Sequence, residues 1–195
     1  MRALSLLVGL ALNVHGAEIA GIVRAAGTNP VAQAIVYLNA GNGHTPASNL
    51  VLRVHDGILE PHVHVAARGG SLVLRNEDAT LHVVRLERLN GTNAPSVLWT
   101  QAMPYAGFQR EFLLSGFRET TLLRIAGGNG ENITGYVAVL PHPWATLTDA
   151  EGRFALRDVP VGPQRVFVWH EALGTLVREV RVPAQGVTLE FPATP

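Results

Sequence analysis

Apolar residues along this chain fall in short runs at positions 19–23, 34–38, 50–54, 62–66, 72–74, 82–86, 121–125, 136–140, 154–156, 165–169, 176–182 and 187–191. The runs alternate or are continuous, and no long stretch keeps a 3.6-residue apolar period. Such runs read as strands, because successive side chains of a strand face opposite sides of a sheet. The chain's 20 Gly and 12 Pro punctuate them. Many short strands with regular turn signals predict an all-β sandwich or barrel. Asp149 to Gly152 reads as a hairpin turn, since Gly152 can take the positive φ such turns require. Pro160 to Gly162 reads as a second turn.

The first residues break this pattern. Met1 and Arg2 precede an apolar stretch, and small residues follow at Gly16 and Ala17. That is the pattern of a signal peptide over residues 1–17, cleaved after Gly16 or Ala17. The apolar stretch is too short to span a bilayer, and no later one is long enough. The expectation is an exported protein, periplasmic or secreted, with no membrane span. A mature chain of about 178 residues makes one large or two small domains. It can bury ~70% of its unfolded surface, so it needs no disulfide staple, and there is no Cys to make one. Export without Cys points to a bacterial envelope, where disulfides are optional.

Charge is balanced, 15 basic against 15 acidic residues, and every basic residue is Arg. The arginines are scattered, so the chain lacks the basic patch that nucleic acid or an anionic membrane would need.

Residues 50–140 and 141–195 differ in texture. The first block carries Pro61, His62, Gly69, Gly70, Asn76, Asp78 and His82; the second carries the Asp149 and Pro160 turns and ends a strand in Trp169 and His170. Residues 18–40 are opening strands, through Gly21 and Val23, a turn at Pro30, then 34–38. Two arrangements are open. The opening strands join residues 141–195 in one discontinuous sandwich, with 41–140 inserted, or two sandwiches follow one another.

Asn76 and Asp78 are turn formers, whose side chains bond nearby backbone amides, and His82 opens the next strand. His62 and His64 stand two apart, hence on one strand face, with Val63 and Val65 turned the other way into the core. That puts both histidines on an outer face. His82 with His62, His64 or His142 is the candidate metal set, and three imidazoles suit Cu(II) or Zn(II). The alternative for His82 is a structural ring bonded to the turn below it. Trp169, His170 and Glu171 could line a ligand face or seal a core. The chain has no Gly-x-Ser-x-Gly elbow and no His-Glu-x-x-His, so no catalytic residue is assigned. Gly127 to Gly130 reads as a hairpin tip, lacking the Lys and helix of a phosphate loop.

In order and spacing, Pro61-His62-Val63, Asn76 to His82, Tyr136 to Val139, Pro143 to Gly152 and Trp169-His170 resemble the secreted cupredoxin-like proteins of the methylamine-utilisation type. Residues 141–195 resemble a carboxypeptidase regulatory-like, carbohydrate-binding-like sandwich. The resemblance implies a cupredoxin-like Greek-key sandwich at 41–140 joined to a regulatory-like sandwich at 141–195. It also implies a copper loop carrying Cys, His and Met. Those positions fall on Gly127, Gly130 and Ile133, and a further Cys often found before Pro61 falls near Gly57. A blue-copper centre needs a thiolate. Only His82 stands where a ligand should.

The functional expectation is therefore an exported, non-catalytic binding or interaction protein of the bacterial envelope with a degenerate copper site. Glycan or an envelope protein is the expected partner, with no cofactor. The alternative is a copper or zinc protein using His82 with other histidines.

Overall fold

A computed structural model describes residues 16–25, 29–39, 45–91, 93–128 and 130–192. The expected signal peptide lies outside the described residues up to position 15. Sixteen strands make up the described chain. The first eight are β1 (Ala17–Arg24), β2 (Ile35–Leu38), β3 (Asn49–His55), β4 (Ile58–Glu60), β5 (Val63–Ala67), β6 (Ser71–Asn76), β7 (His82–Asn90) and β8 (Asn93–Met103). The rest are β9 (Gln109–Leu113), β10 (Thr121–Gly127), β11 (Thr134–Leu140), β12 (Ala145–Leu147), β13 (Arg153–Val159), β14 (Gly162–His170), β15 (Gly174–Val182) and β16 (Val187–Pro192). The fold is all-β, and none of its helices is long and apolar enough to cross a membrane among the described residues.

The strands form four sheets, ordered β13-β1-β16, β12-β2-β14-β15, β5-β11-β10-β7-β8 and β4-β3-β6-β9. β1 pairs antiparallel with β13 and parallel with β16, so its partners on both edges come from the C-terminal block. β2 pairs with β12 and β14. The sheets pack in two pairs. One pair, from the chain ends, encloses a core that includes Ile19, Val36, Leu38, Val166 and Val168. The other, from β3 to β11, encloses Leu52, Leu72, Leu74, Ile125, Val137 and Val139.

Period-2 alternation explains how the pairs join. Val36 and Leu38 of β2 enter the first core, while Ile35 and Tyr37 point the opposite way. Val137 and Val139 of β11 enter the second core, while Ala138 and Leu140 point out of it. The outward sets meet in a third cluster with Val63 and Trp169. Both inner sheets are thus covered on both faces, which is why β2 is buried at every position. Tyr136 and Trp169 meet across this seam with ring centroids 4.8 Å apart. Such an aromatic pair adds about 0.5–1.5 kcal/mol beyond its buried area.

β4, β8, β9 and β12 lie outside the predicted apolar runs. β8 is mostly exposed, an edge strand whose Trp99 packs partly against the core, so its sequence shows little alternation. The face assignment around His62 also needs correcting. Val63 and Val65 face the seam, whereas Ala66 enters the second core. His64, on Ala66's side of β5, therefore points inward and is half-buried rather than on an outer face.

At the Asp149 turn, Asp149 Oδ1 accepts from the N–H groups of Glu151 (3.0 Å) and Arg153 (2.7 Å). Gly152 has φ +75°, and a Cβ there would stand 2.5 Å from the Val23 carbonyl oxygen, so only glycine fits.

Candidate functional site

The turn between β6 and β7 is built from its side chains. Asn76 is fully buried at the end of β6. Its Nδ2 donates to the carbonyls of Thr80 and Met103, both at 2.9 Å, and its Oδ1 accepts from Asp78 N–H at 2.9 Å. That orients the Asp78 carboxylate towards the β3–β4 hairpin, where it accepts from Asp56 N–H (2.7 Å) and Gly57 N–H (2.9 Å). The same carboxylate faces His82. Nε2 of His82 lies 2.8 Å from Asp78 Oδ2, and Nδ1 lies 2.9 Å from Glu131 Oε1. Glu131 comes from the loop between β10 and β11, and its second oxygen accepts from Val83 N–H at 3.4 Å.

His82 is thus a buried ring between two carboxylates. Burial alone would push its pKa down; the hydrogen bonds and charges of Glu131 and Asp78 outweigh it and hold the pKa above the ordinary value. Burial would raise Asp78, but the N–H groups of Gly57 and Asp56, together with His82, hold its carboxyl below the usual range. Carboxylates only accept, so both ring nitrogens must carry protons to satisfy them. A metal needs an unprotonated nitrogen, so a metal at His82 must displace a proton that two anions favour.

The remaining candidates are scattered. His62 lies just before β5, its Nδ1 3.0 Å from the Thr134 carbonyl and its Nε2 3.0 Å from Glu171 Oε1. It bridges the two sheet pairs, and its ring stands edge-on to Tyr136. Burial lowers the His64 pKa. His142 is buried in the link between β11 and β12, its ring stacked on Trp144 at 5.6 Å. Burial pushes its pKa down, and its nitrogens face backbone, including that of Leu38, without a hydrogen bond of good geometry. Trp169 is buried in the seam and offers no open face.

Among the described residues, the three-residue group with ligand atoms inside 4.8 Å is His55, Asp56 and Asp78, at the β3–β4 turn. His62, His64 and His82 do not form such a group. Of the positions where the resemblance expects copper-loop ligands, Ile133 is buried in the second core. Sequence reasoning missed Glu131, although it is the sole charged residue in the Gly-rich loop 126–132.

A second feature lies at the seam. A cleft of about 520 Å³ opens where β2 meets the end of β7 and the starts of β10 and β15. Tyr37, Arg88, Phe117, Arg118, Thr121 and Thr175 line it, with Glu119. Tyr37 is 8% exposed and stacks on Phe167 at 5.2 Å. Its hydroxyl makes no hydrogen bond among the described residues, and burial raises its pKa, so it stays a neutral donor. Arg88 lies 5.6 Å from the Phe117 ring centroid, and neither it nor Arg118 pairs with a carboxylate among the described residues.

No protein-family model matches the chain, and no curated protein matches it. Solved structures do. A reduced amicyanin variant aligns at 16% identity over 46% of this chain and 80% of its own, with a TM-score of 0.36. A purple cupredoxin from Nitrosopumilus maritimus aligns at 17% identity over 46% of this chain and 98% of its own, with a TM-score of 0.35. A copper-containing nitrite reductase from Thermus scotoductus SA-01 aligns at 13% identity over 60% of this chain and 28% of its own, with a TM-score of 0.37. At such identities and scores the copper chemistry of those proteins does not transfer to this chain.

Proposed function

We propose that this chain is an exported, non-catalytic binding protein of the bacterial envelope, with carbohydrate as its ligand class and a degenerate copper site at His82. The observation that carries the reading is the seam cleft. It is concave, it lies where two sheet pairs meet, and it holds a phenol hydroxyl with no hydrogen bond and two guanidinium groups with no carboxylate partner among the described residues. Sites for small ligands favour such junctions and combine apolar walls with a few uncommitted polar groups. The His82 clasp supports the non-catalytic part, because its two carboxylates are already engaged. Amide chemical shifts of the labelled mature chain, titrated with a panel of soluble neutral and acidic oligosaccharides, test it. Shifts clustered around Tyr37, Thr121 and Thr175 are expected; no shift with any sugar refutes carbohydrate binding.

A second reading, copper or zinc binding, is favoured by the His55, Asp56 and Asp78 group. His55 and Asp56 are exposed, so this reading predicts weak binding of Cu(II) or Zn(II) that His55→Ala abolishes. It also predicts no intense blue colour, which needs a thiolate.

A further inference from the structure

We infer that the seam cleft takes an anionic saccharide, a sugar carrying a carboxylate, with Arg88 and Arg118 on the charge and Tyr37 on a ring hydroxyl. The inference rests on the carbohydrate reading and sharpens it.

Three observations lead there. The first is charge. Two arginines and one glutamate line the cleft, an excess of one positive charge, and neither guanidinium pairs with a carboxylate among the described residues. Arg88 is held against the Phe117 ring, which limits its freedom before any ligand arrives. A planar guanidinium meets a carboxylate with two parallel N–H bonds, the geometry that makes this pairing selective.

The second is the Tyr37 hydroxyl. Tyr37 is 8% exposed, and its hydroxyl, which makes no hydrogen bond among the described residues, is not sealed in the core. The ring is held by its stack on Phe167, so the hydroxyl can donate to a ligand without first breaking a bond to a described residue. Tyr37 lines the cleft, so a ligand group there can accept from it.

The third is the rest of the wall. The Thr121 hydroxyl donates to the Glu119 carbonyl at 3.0 Å and so offers a ligand an acceptor, Thr175 brings a second hydroxyl, Leu89 and Leu122 bring apolar surface, and the cavity is of monosaccharide to disaccharide size. Hydroxyls interleaved with apolar patches match a sugar ring better than a bare inorganic anion. No single element carries this wall. Tyr37 comes from the first sheet pair, and Arg88, Phe117 and Arg118 from the second. The site exists because the pairs are joined.

Isothermal titration of the full mature chain tests this, with trigalacturonate as probe, maltotriose as its neutral match and sodium acetate as the bare carboxylate. Trigalacturonate should bind at least tenfold more tightly than maltotriose. Arg88→Gln, Arg118→Gln and Tyr37→Phe should each weaken it about tenfold or more, the range for a hydrogen bond to a charged group or for an orphaned donor. Tyr37→Phe keeps the stack on Phe167, so a lost hydroxyl is separated from a lost fold. Arg178→Gln, on β15 away from the cleft, should change nothing. Trigalacturonate affinity unaffected by all three substitutions overturns the inference. So does an acetate affinity equal to that of the trisaccharide, which would mark a simple anion site. Maltotriose binding that ignores the three substitutions overturns the anionic site and leaves the carbohydrate reading standing; silence from every sugar overturns both.

Discussion

His82 and His142 are both buried histidines, and their surroundings drive them in opposite directions. His82 sits at the turn end of the second sheet pair with a carboxylate on each nitrogen, and its pKa is raised. His142 sits in the link between the pairs against Trp144 and backbone, and its pKa is lowered. Burial acts on both in the same sense, against the charged form. The difference comes from partners alone. A buried imidazole is therefore a charged strut in one region and a neutral wedge in the other, and neither is an available metal ligand by virtue of burial.

The strongest way to break this contrast is to remove an anion. Asp78→Ala leaves His82 Nε2 and the N–H groups of Asp56 and Gly57 without their acceptor. Removing one partner of a buried pair costs about 3–5 kcal/mol, and urea unfolding should show a loss of that order. A loss below about 1 kcal/mol, the scale of an exposed ion pair, would mean the clasp is not formed in solution.

Next in size is the dependence on pH. The folded-state pKa of His82 is raised, so its contribution is complete below the unfolded value, about 6.5, and is lost as pH rises through the folded value. Asp78 is depressed, so its contribution is present above about 3.9 and is lost as pH falls through its folded value. Stability from the clasp should peak between those limits, and His82→Gln should flatten the alkaline limb. An unfolding profile whose alkaline limb is the same in wild type and His82→Gln would remove the charged strut. Imidazole proton resonances sharpen the contrast without perturbing it: His82 should titrate above the ordinary value and His142 below it. Both titrating near 6.5 would show that neither environment is as described.

The smallest expected effect is at His142. His142→Phe replaces a ring with no well-formed hydrogen bond by an apolar one beside Trp144, so stability should change by less than about 1.5 kcal/mol, as for volume-conserving core swaps. A loss above about 2 kcal/mol would show that the His142 nitrogens have partners after all.

Strand patterning made the all-β class legible, since runs such as 50–54 and 136–140 alternate into one core. It could not identify strands whose faces are mostly wet, which hid β8 and β9. Nor could it show that both faces of β5 are covered, which is why Val63 and Val65 turn into a core as expected while His64, opposite them, is half-buried too. The Asn76 and Asp78 turn was readable because short polar side chains next to a strand end bond backbone amides nearby. Glu131 was not, because its contact with His82 spans 49 residues and depends on how the β10–β11 loop folds back. Local pattern cannot choose the partners of the opening strands, because pairing is long-range; in the structure Ile19 stands beside Leu156 and Val187. The seam cleft left no local trace, since its lining converges from four separate stretches.

The placement of β1 sets an order of events. Both of its hydrogen-bonding edges wait for β13 and β16, the latter ending at Pro192. During vectorial delivery from its N-terminus the strand emerges first and must stay unpaired until nearly the whole chain has followed. The sheet pair from β3 to β11 meets no such delay, since all its partners arrive together. It should gain hydrogen-exchange protection first in pulse-labelled refolding, with β1 protected last; simultaneous protection would contradict that order. An exposed strand edge held open this long invites a holding partner, so folding speed and exposure of that edge are coupled through one strand at the start of the fold.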